Sequence, residues 1–380
     1  MNERSRKLNE RTTVNPAFNA VARNDFAAML DRKRYADRSG DFEQMIARTN
    51  EHFWDPLDPD YIDFEQAAPS DEPLIPFDMI PERHSAIWDT LDEGRQIQFA
   101  NETLRLRISG ILHGEQGALS LSTGLADMLL DPGAQEFALN QAREEGRHVH
   151  AFALYMQHRF GGDVMEPTPT VERILKDIVA SEVIYEKFIG MQMMVEGLAM
   201  GLFTSLFQEA NDPVLKRLVQ LVMTDESFHH RFGIVWARAN VPSLTEELSN
   251  ELEDYSLSIF QDLLRNLVAP HEKQELYQRC GIDVEFAAGA LGEVMTDERR
   301  KRLMGQGSNL FRTVIKTLWN AGLITGRTSD WYGQWVDLDE LAGEGDHMVG
   351  QPIADDGIAR LAEINAGKKK IVRKRSEALG

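Results

Sequence analysis

Two Glu-x-x-His segments, Glu145-Gly146-Arg147-His148 and Glu226-Ser227-Phe228-His229, are each preceded by a further glutamate at the same interval of thirty residues, Glu115 and Glu196. On a helix, a step of three residues puts both side chains on one face, so a carboxylate and an imidazole can reach the same ion. Taken singly, such a segment means little. Ten histidines in a glutamate-rich chain yield about one copy by chance under the neighbour rule for helices. A third copy, Glu344-Gly345-Asp346-His347, lies in a glycine-rich stretch that disfavours a helix, and it is set aside. The other two differ in that an Asp-Pro pair, Asp131-Pro132 or Asp212-Pro213, falls near the middle of each thirty-residue interval. Where two antiparallel helices meet at a turn, residues about fifteen positions away on either side lie at the same height, about 22 Å from the turn. Glu115 then faces Glu145 and Glu196 faces Glu226. Two such hairpins side by side gather four carboxylates and two imidazoles at mid-bundle.

One glutamate from each of two helices and Glu-x-x-His from the other two is the ligand set of ferritin-like di-iron and di-manganese proteins. The expected fold is therefore all-α: a ferritin-like four-helix bundle core with additional helices and irregular N- and C-terminal extensions. Apolar residues recurring at three- and four-residue intervals place helices over about 92–130, 133–160, 168–210, 213–239, 243–268, 284–304 and 306–323. Residues 1–80, interrupted by DPLDPD and APSDEPLIP, read as an irregular arm with a short helix or two. Residues 81–324 read as the di-metal helical domain, and 325–380 as a loosely structured extension with a basic tail, KKKIVRKR.

Composition narrows the chemistry. A single cysteine, Cys280, excludes an internal disulfide and any all-cysteine metal site within one chain, which leaves oxygen and nitrogen donors. No run of about 18 apolar residues marks a membrane span. The charged first residues lack the apolar core of a secretory signal, so the cytoplasm is the expected compartment. A net charge of -20 opposes nucleic-acid binding, and the basic tail reads as a solvated end.

Asp225 and Glu144 directly precede Glu226 and Glu145, where a second carboxylate accepts a hydrogen bond from the far nitrogen of a ligand histidine. The approximate twofold relation of the hairpins pairs Asp225 with His148 and Glu144 with His229, with Arg147 neutralising one of the two acids. His150 and His230 turn away from the ligand face and are not counted as ligands. Gly114, Gly117, Ala118, Gly197, Ala199 and Gly201 flank the lone glutamates. They either leave room for a ligand or allow close helix packing. Phe152, Met194, Met200 and Phe203 are candidates for the wall of an apolar substrate pocket.

The stretch GEQGALSLSTGLADMLLDPGAQEFALNQAREEGRHVHAF resembles the first metal-binding hairpin of the hydroxylase subunits of bacterial multicomponent monooxygenases. VEGLAMGLF followed by TDESFHHRFG is more similar to ribonucleotide reductase small subunits and the ligand-binding oxidases related to them. The resemblance spans about residues 95–240 and is to the superfamily rather than to one branch. It implies two iron ions, or a manganese–iron pair, activating O2 to oxidise a small apolar organic substrate, and it implies a homodimer. With no dinucleotide fingerprint and one cysteine, electrons are expected from a separate reductase or ferredoxin. Two departures stand out. The hydroxylases carry a threonine one turn after the third glutamate, where this chain has Met200. The reductase subunits carry a radical tyrosine one turn after the first histidine, where this chain has Phe152; Tyr155 lies almost two turns on. The competing readings are a ribonucleotide-reductase-like radical or ligand-binding oxidase protein, and an iron-storage or peroxide-scavenging protein with no organic substrate.

Overall fold

Helix starts frame the molecule. Asp131 accepts a hydrogen bond from the Ala134 backbone at 2.8 Å, and Pro132 takes the first helical position, where a missing N–H costs nothing. Asp212 and Pro213 do the same at the second turn, with Val214 N donating to Asp212 at 3.0 Å. In this computed structural model, which describes residues 1–23, 25–69, 72–294, 310–344 and 348–378, the long helices are α1 (Glu93–Met128), α2 (Pro132–Phe160), α3 (Pro169–Ala180), α4 (Ile184–Glu209), α5 (Pro213–Asn240), α6 (Glu246–Val268), α7 (Val284–Val294), α8 (Phe311–Asn320) and α9 (Gln351–Ala378). The fold is all-α, and among the described residues no strand forms. α1 packs along α2, α4 along α5, and α2 against α5, which closes the four-helix core. Two apolar clusters fill it, one including Phe137, Phe188 and Phe232, the other Phe152, Phe203 and Leu218.

Three local features differ from the sequence expectation. The expected helix over 168–210 is broken at 181–183, although apolar periodicity runs on through the break. Asn9, from the N-terminal helix Glu3–Thr12, accepts from Ile184 N at 2.8 Å and donates to Glu182 O at 2.9 Å, so it caps the new helix from far away in sequence. The fully buried Lys187 donates to the carbonyls of Ile178 and Val179 at the end of α3. Second, Phe188–Val195 within α4 is a wide π turn, a form common at functional sites. Third, the C-terminal region is more ordered than expected. Gly350, near the end of its AGEGDHMVGQP stretch, turns the chain at φ +82°, and a 28-residue helix, α9, follows.

α9 lies on α5, and its approach depends on Gly357, where a Cβ would come 2.7 Å from Thr224 Cγ2. Asn365 on α9 accepts from the Tyr61 hydroxyl at 2.6 Å and donates to Phe53 O at 2.9 Å. Lys368 pairs with Asp58 and Asp60. The N-terminal arm, which holds helices Glu3–Thr12 and Glu43–Glu51 and several shorter turns, is thereby strapped across the core by its segment around Trp54. By length and composition α4 could cross a membrane, yet 78% of its most apolar window is buried within the molecule. The sequence reading found no such span because Gln192 and Glu196 interrupt the run.

Candidate metal centre

The six expected ligands come from four helices: Glu115 from α1, Glu145 and His148 from α2, Glu196 from α4 directly after the π turn, and Glu226 and His229 from α5. All six are buried. Their donor atoms form two groups, Glu115–Glu145–His148–Glu226 and Glu145–Glu196–Glu226–His229, each with its atoms within 4.8 Å of one another. Glu145 and Glu226 belong to both groups. Each group could hold one ion, with Glu145 and Glu226 serving both, Glu115 and His148 serving one, and Glu196 and His229 the other. Four such helices around one buried centre are the ferritin-like dimetal arrangement.

The imidazoles are oriented from outside. His148 turns Nδ1 inward, 3.0 Å from Glu226 and 3.3 Å from both Glu115 and Glu145. Its Nε2–H donates outward to Asp225 at 3.0 Å. His229 likewise sets Nδ1 3.0 Å from Glu145 and 3.1 Å from Glu226, while Nε2–H donates to Glu144 at 2.9 Å. An outer carboxylate of this kind fixes the ring and strengthens the inner nitrogen as a donor. Arg147 donates to Asp225 at 2.7 Å, and its charge also favours the ionised form of Glu144.

Electrostatics at the centre call for positive charge. Burial pushes Glu115 and Glu196 well above the ordinary carboxylate range, and the Glu226 charge adds to the shift at Glu196. Burial works against a charged imidazole at His148 and His229, but the surrounding carboxylates outweigh it and raise both well above the ordinary histidine value. Glu196 Oε1 is buried with no hydrogen-bond partner. Four buried carboxylates are matched in charge by two divalent cations, and oxygen donors with two imidazoles suit iron or manganese. The residues present fit such a pair.

His230 is directed elsewhere. It lies 2.9 Å from Gln192 O and 2.8 Å from the Thr317 hydroxyl, and burial lowers its pKa to about 4. His150 is exposed. Glu344 pairs with Arg312 and Lys316, and His347 lies outside the described residues. Of the expected pocket residues, Phe152, Met200 and Phe203 share one apolar cluster, with Phe152 stacked on Phe203 at 6.0 Å, whereas Met194 packs in the other. Two of the flanking glycines serve close packing, since a Cβ would meet Leu175 at Gly117 and the Leu310 backbone at Gly201, both at 2.7 Å; at Gly114 it would meet nothing within 4 Å.

Two residues escaped the sequence reading. Trp54, fully buried, donates its indole N–H to Asp225 at 2.9 Å and stacks on His148 at 6.1 Å, with Arg147 over its ring. Its partner is 171 positions away, so no local pattern marks it. Gln141 donates to Glu145 at 3.0 Å, and its position one turn earlier on the same helix face was a usable signal.

No family model matches the chain, and no curated protein matches it in sequence. Among solved structures it is similar to R2-like ligand-binding oxidases. One, a variant with an anaerobically reconstituted Mn/Fe cofactor, is 18% identical with a TM-score of 0.49, covering 76% of this chain and 95% of that one. Another, a variant with an aerobically reconstituted Fe/Fe cofactor, is 18% identical with a TM-score of 0.48, over 76% and 95% of the two chains.

Proposed function

We propose that the protein is an oxygen-activating dimetal oxidase that holds two iron ions, or manganese and iron together, between Glu115, Glu145, His148, Glu196, Glu226 and His229. The observation that carries this reading is the sharing of Glu145 and Glu226 between two buried donor groups. Surface acid clusters do not expel water from six donors at once. The metals, when bound, supply the electrons that reduce O2. The chain's part is to hold both imidazoles by their far nitrogens, through Asp225 and Glu144, and to exclude water from the centre.

The proposed substrate is a small apolar organic molecule and the proposed reaction a monooxygenation. Phe152, Met200 and Phe203, which stand on two of the helices that carry the donors and share one apolar cluster, support an apolar contact surface. Electrons for reuse would come from a separate reductase or ferredoxin. Phe152, buried one turn after His148, offers no phenol for a stable radical there, which weighs against a nucleotide-reductase radical role.

Metal analysis of iron-loaded protein tests the centre. About two ions per chain are expected, falling sharply in Glu115→Ala and His229→Ala, and wild-type protein that takes up none would refute the reading. Anaerobic reduction followed by O2, with candidate substrates present, tests the reaction: an oxygenated product supports it, and peroxide consumption or mineral deposition without one supports the scavenging or storage role.

A further inference from the structure

Glu145 belongs to both donor groups, and a buried amide addresses it. Gln141 is 0% exposed and donates Nε2–H to Glu145 Oε1 at 3.0 Å. Chemistry fixes the direction of this bond, because the reversed amide would set its oxygen against a carboxylate oxygen. Gln141 Oε1 is buried without a partner. An unpaired buried carbonyl opposes folding. Packing alone would favour leucine or methionine here, so the glutamine calls for a reason outside packing.

The hairpin symmetry supplies a comparison. Four residues before Glu226, at the place that matches Gln141, stands Val222, also fully buried. One shared carboxylate is therefore tethered to its own helix by an amide, and the other is not. The tethered oxygen is the one 3.0 Å from His229 Nδ1, while Glu145 Oε2 lies 3.3 Å from His148 Nδ1.

Resting on the metal-binding reading above, we infer that Gln141 is a positioning residue that orients the Glu145 carboxylate, holding Oε1 toward the Glu196–His229 position. It touches neither metal nor substrate. It acts by restricting the rotation of a carboxylate that must serve two ions at once, and by partly satisfying the oxygen turned to one of them.

The test is a titration of the metal-free, full-length protein with cobalt(II) alone, followed by calorimetry and by the visible absorption of the bound ion. Four proteins are compared: wild type, Gln141→Met, Gln141→Glu and Gln192→Met. Gln192 is also a fully buried glutamine, but neither side-chain polar atom has a hydrogen-bond partner, so it controls for loss of a buried amide. Wild type is expected to take two ions. Gln141→Met should weaken binding about 10–100-fold and change the cobalt absorption, as expected for loss of an outer-sphere partner. Its unfolding midpoint without metal should stay level or rise. Gln141→Glu, which keeps the length and loses the donor, should also change the absorption, and it decides the matter if the methionine variant fails to fold. Gln192→Met should bind as wild type does. Wild-type affinity and spectrum in both Gln141 variants, a change confined to the unfolding midpoint, or an equal loss in Gln192→Met would overturn the inference while leaving the metal reading intact. Wild-type protein that takes up no cobalt would overturn both.

Discussion

Asp225→Asn isolates the charge that holds the His148 side of the centre. In the wild type a single oxygen, Oδ2, accepts three hydrogen bonds, from Arg147 at 2.7 Å, Trp54 at 2.9 Å and His148 at 3.0 Å. The acid is 1% exposed and the Arg147 side chain 8%. Asparagine keeps the shape and an accepting oxygen, so the bonds persist but lose their ionic partner. A hydrogen bond to a charged group contributes about 1.5–3 kcal/mol against about 0.5–1.5 for a neutral one, a difference of about 1 kcal/mol each. Only the Trp54 bond is left between neutral groups and loses about 1 kcal/mol; the larger part of an expected loss of about 3 kcal/mol comes from Arg147 left without its counter-ion. Urea unfolding of the metal-free protein measures this at constant m. Because Asp225 also orients His148, metal affinity should fall about 10–100-fold. A stability loss below about 1 kcal/mol, together with unchanged affinity, would refute the reasoning, since the three short bonds would then carry no ionic contribution.

Lys187, which burial lowers to about 8 from an ordinary 10.5, makes stability depend on alkaline pH. Above about pH 8 the folded chain releases a proton that the unfolded chain keeps until about 10.5, so stability should rise with pH by up to about 3 kcal/mol across that window. In Lys187→Met the rise should be smaller by that amount in unfolding measured from pH 7 to 10.5; parallel profiles would contradict the assignment. Gly357→Ala should destabilise by about 1–3 kcal/mol, because the new Cβ meets a β-branched Thr224 that has no room to move. Faster proteolysis within α9 would report the loosened helix, and an unchanged digestion pattern would count against the close approach. Asn9→Ala removes the cap on Ile184 and the bond to Glu182, and should cost about 1–2 kcal/mol in thermal or urea unfolding.

The bundle was legible because its information is periodic. Thirty-residue spacing about two Asp-Pro turns is a statement of height along helices, and the turns cap those helices through Asp131 and Asp212 themselves. The outer acids could be read for the same reason: Asp225 and Glu144 sit one residue from a ligand, and a rotation of 100° per residue turns each toward the neighbouring hairpin. What local pattern could not carry is anything fixed by a distant partner. The break before α4 is written in Asn9, 175 residues from the backbone amide it accepts. The order of the C-terminal segment depends on Gly357 meeting Thr224 and on Lys368 meeting Asp58 and Asp60, so the composition of that segment alone reads as loop.

The same distinction bears on how the centre is built. Its six proposed ligands stand on four helices whose geometry is local and repetitive, and a bundle of that kind is nearly symmetric. The elements that break the symmetry are non-local or unmatched. Trp54 reaches Asp225 from the N-terminal arm, and Gln141 stands where the matching place of the other hairpin holds Val222. The His148 acid therefore carries an arginine and an indole, while Glu144 has only His229 among the hydrogen bonds of the described residues. A symmetric donor set with asymmetric supports would give the two proposed ions different surroundings from like donors. Differences between the two proposed positions are therefore to be sought in Trp54, Arg147 and Gln141, because the six donors alone would make the positions alike.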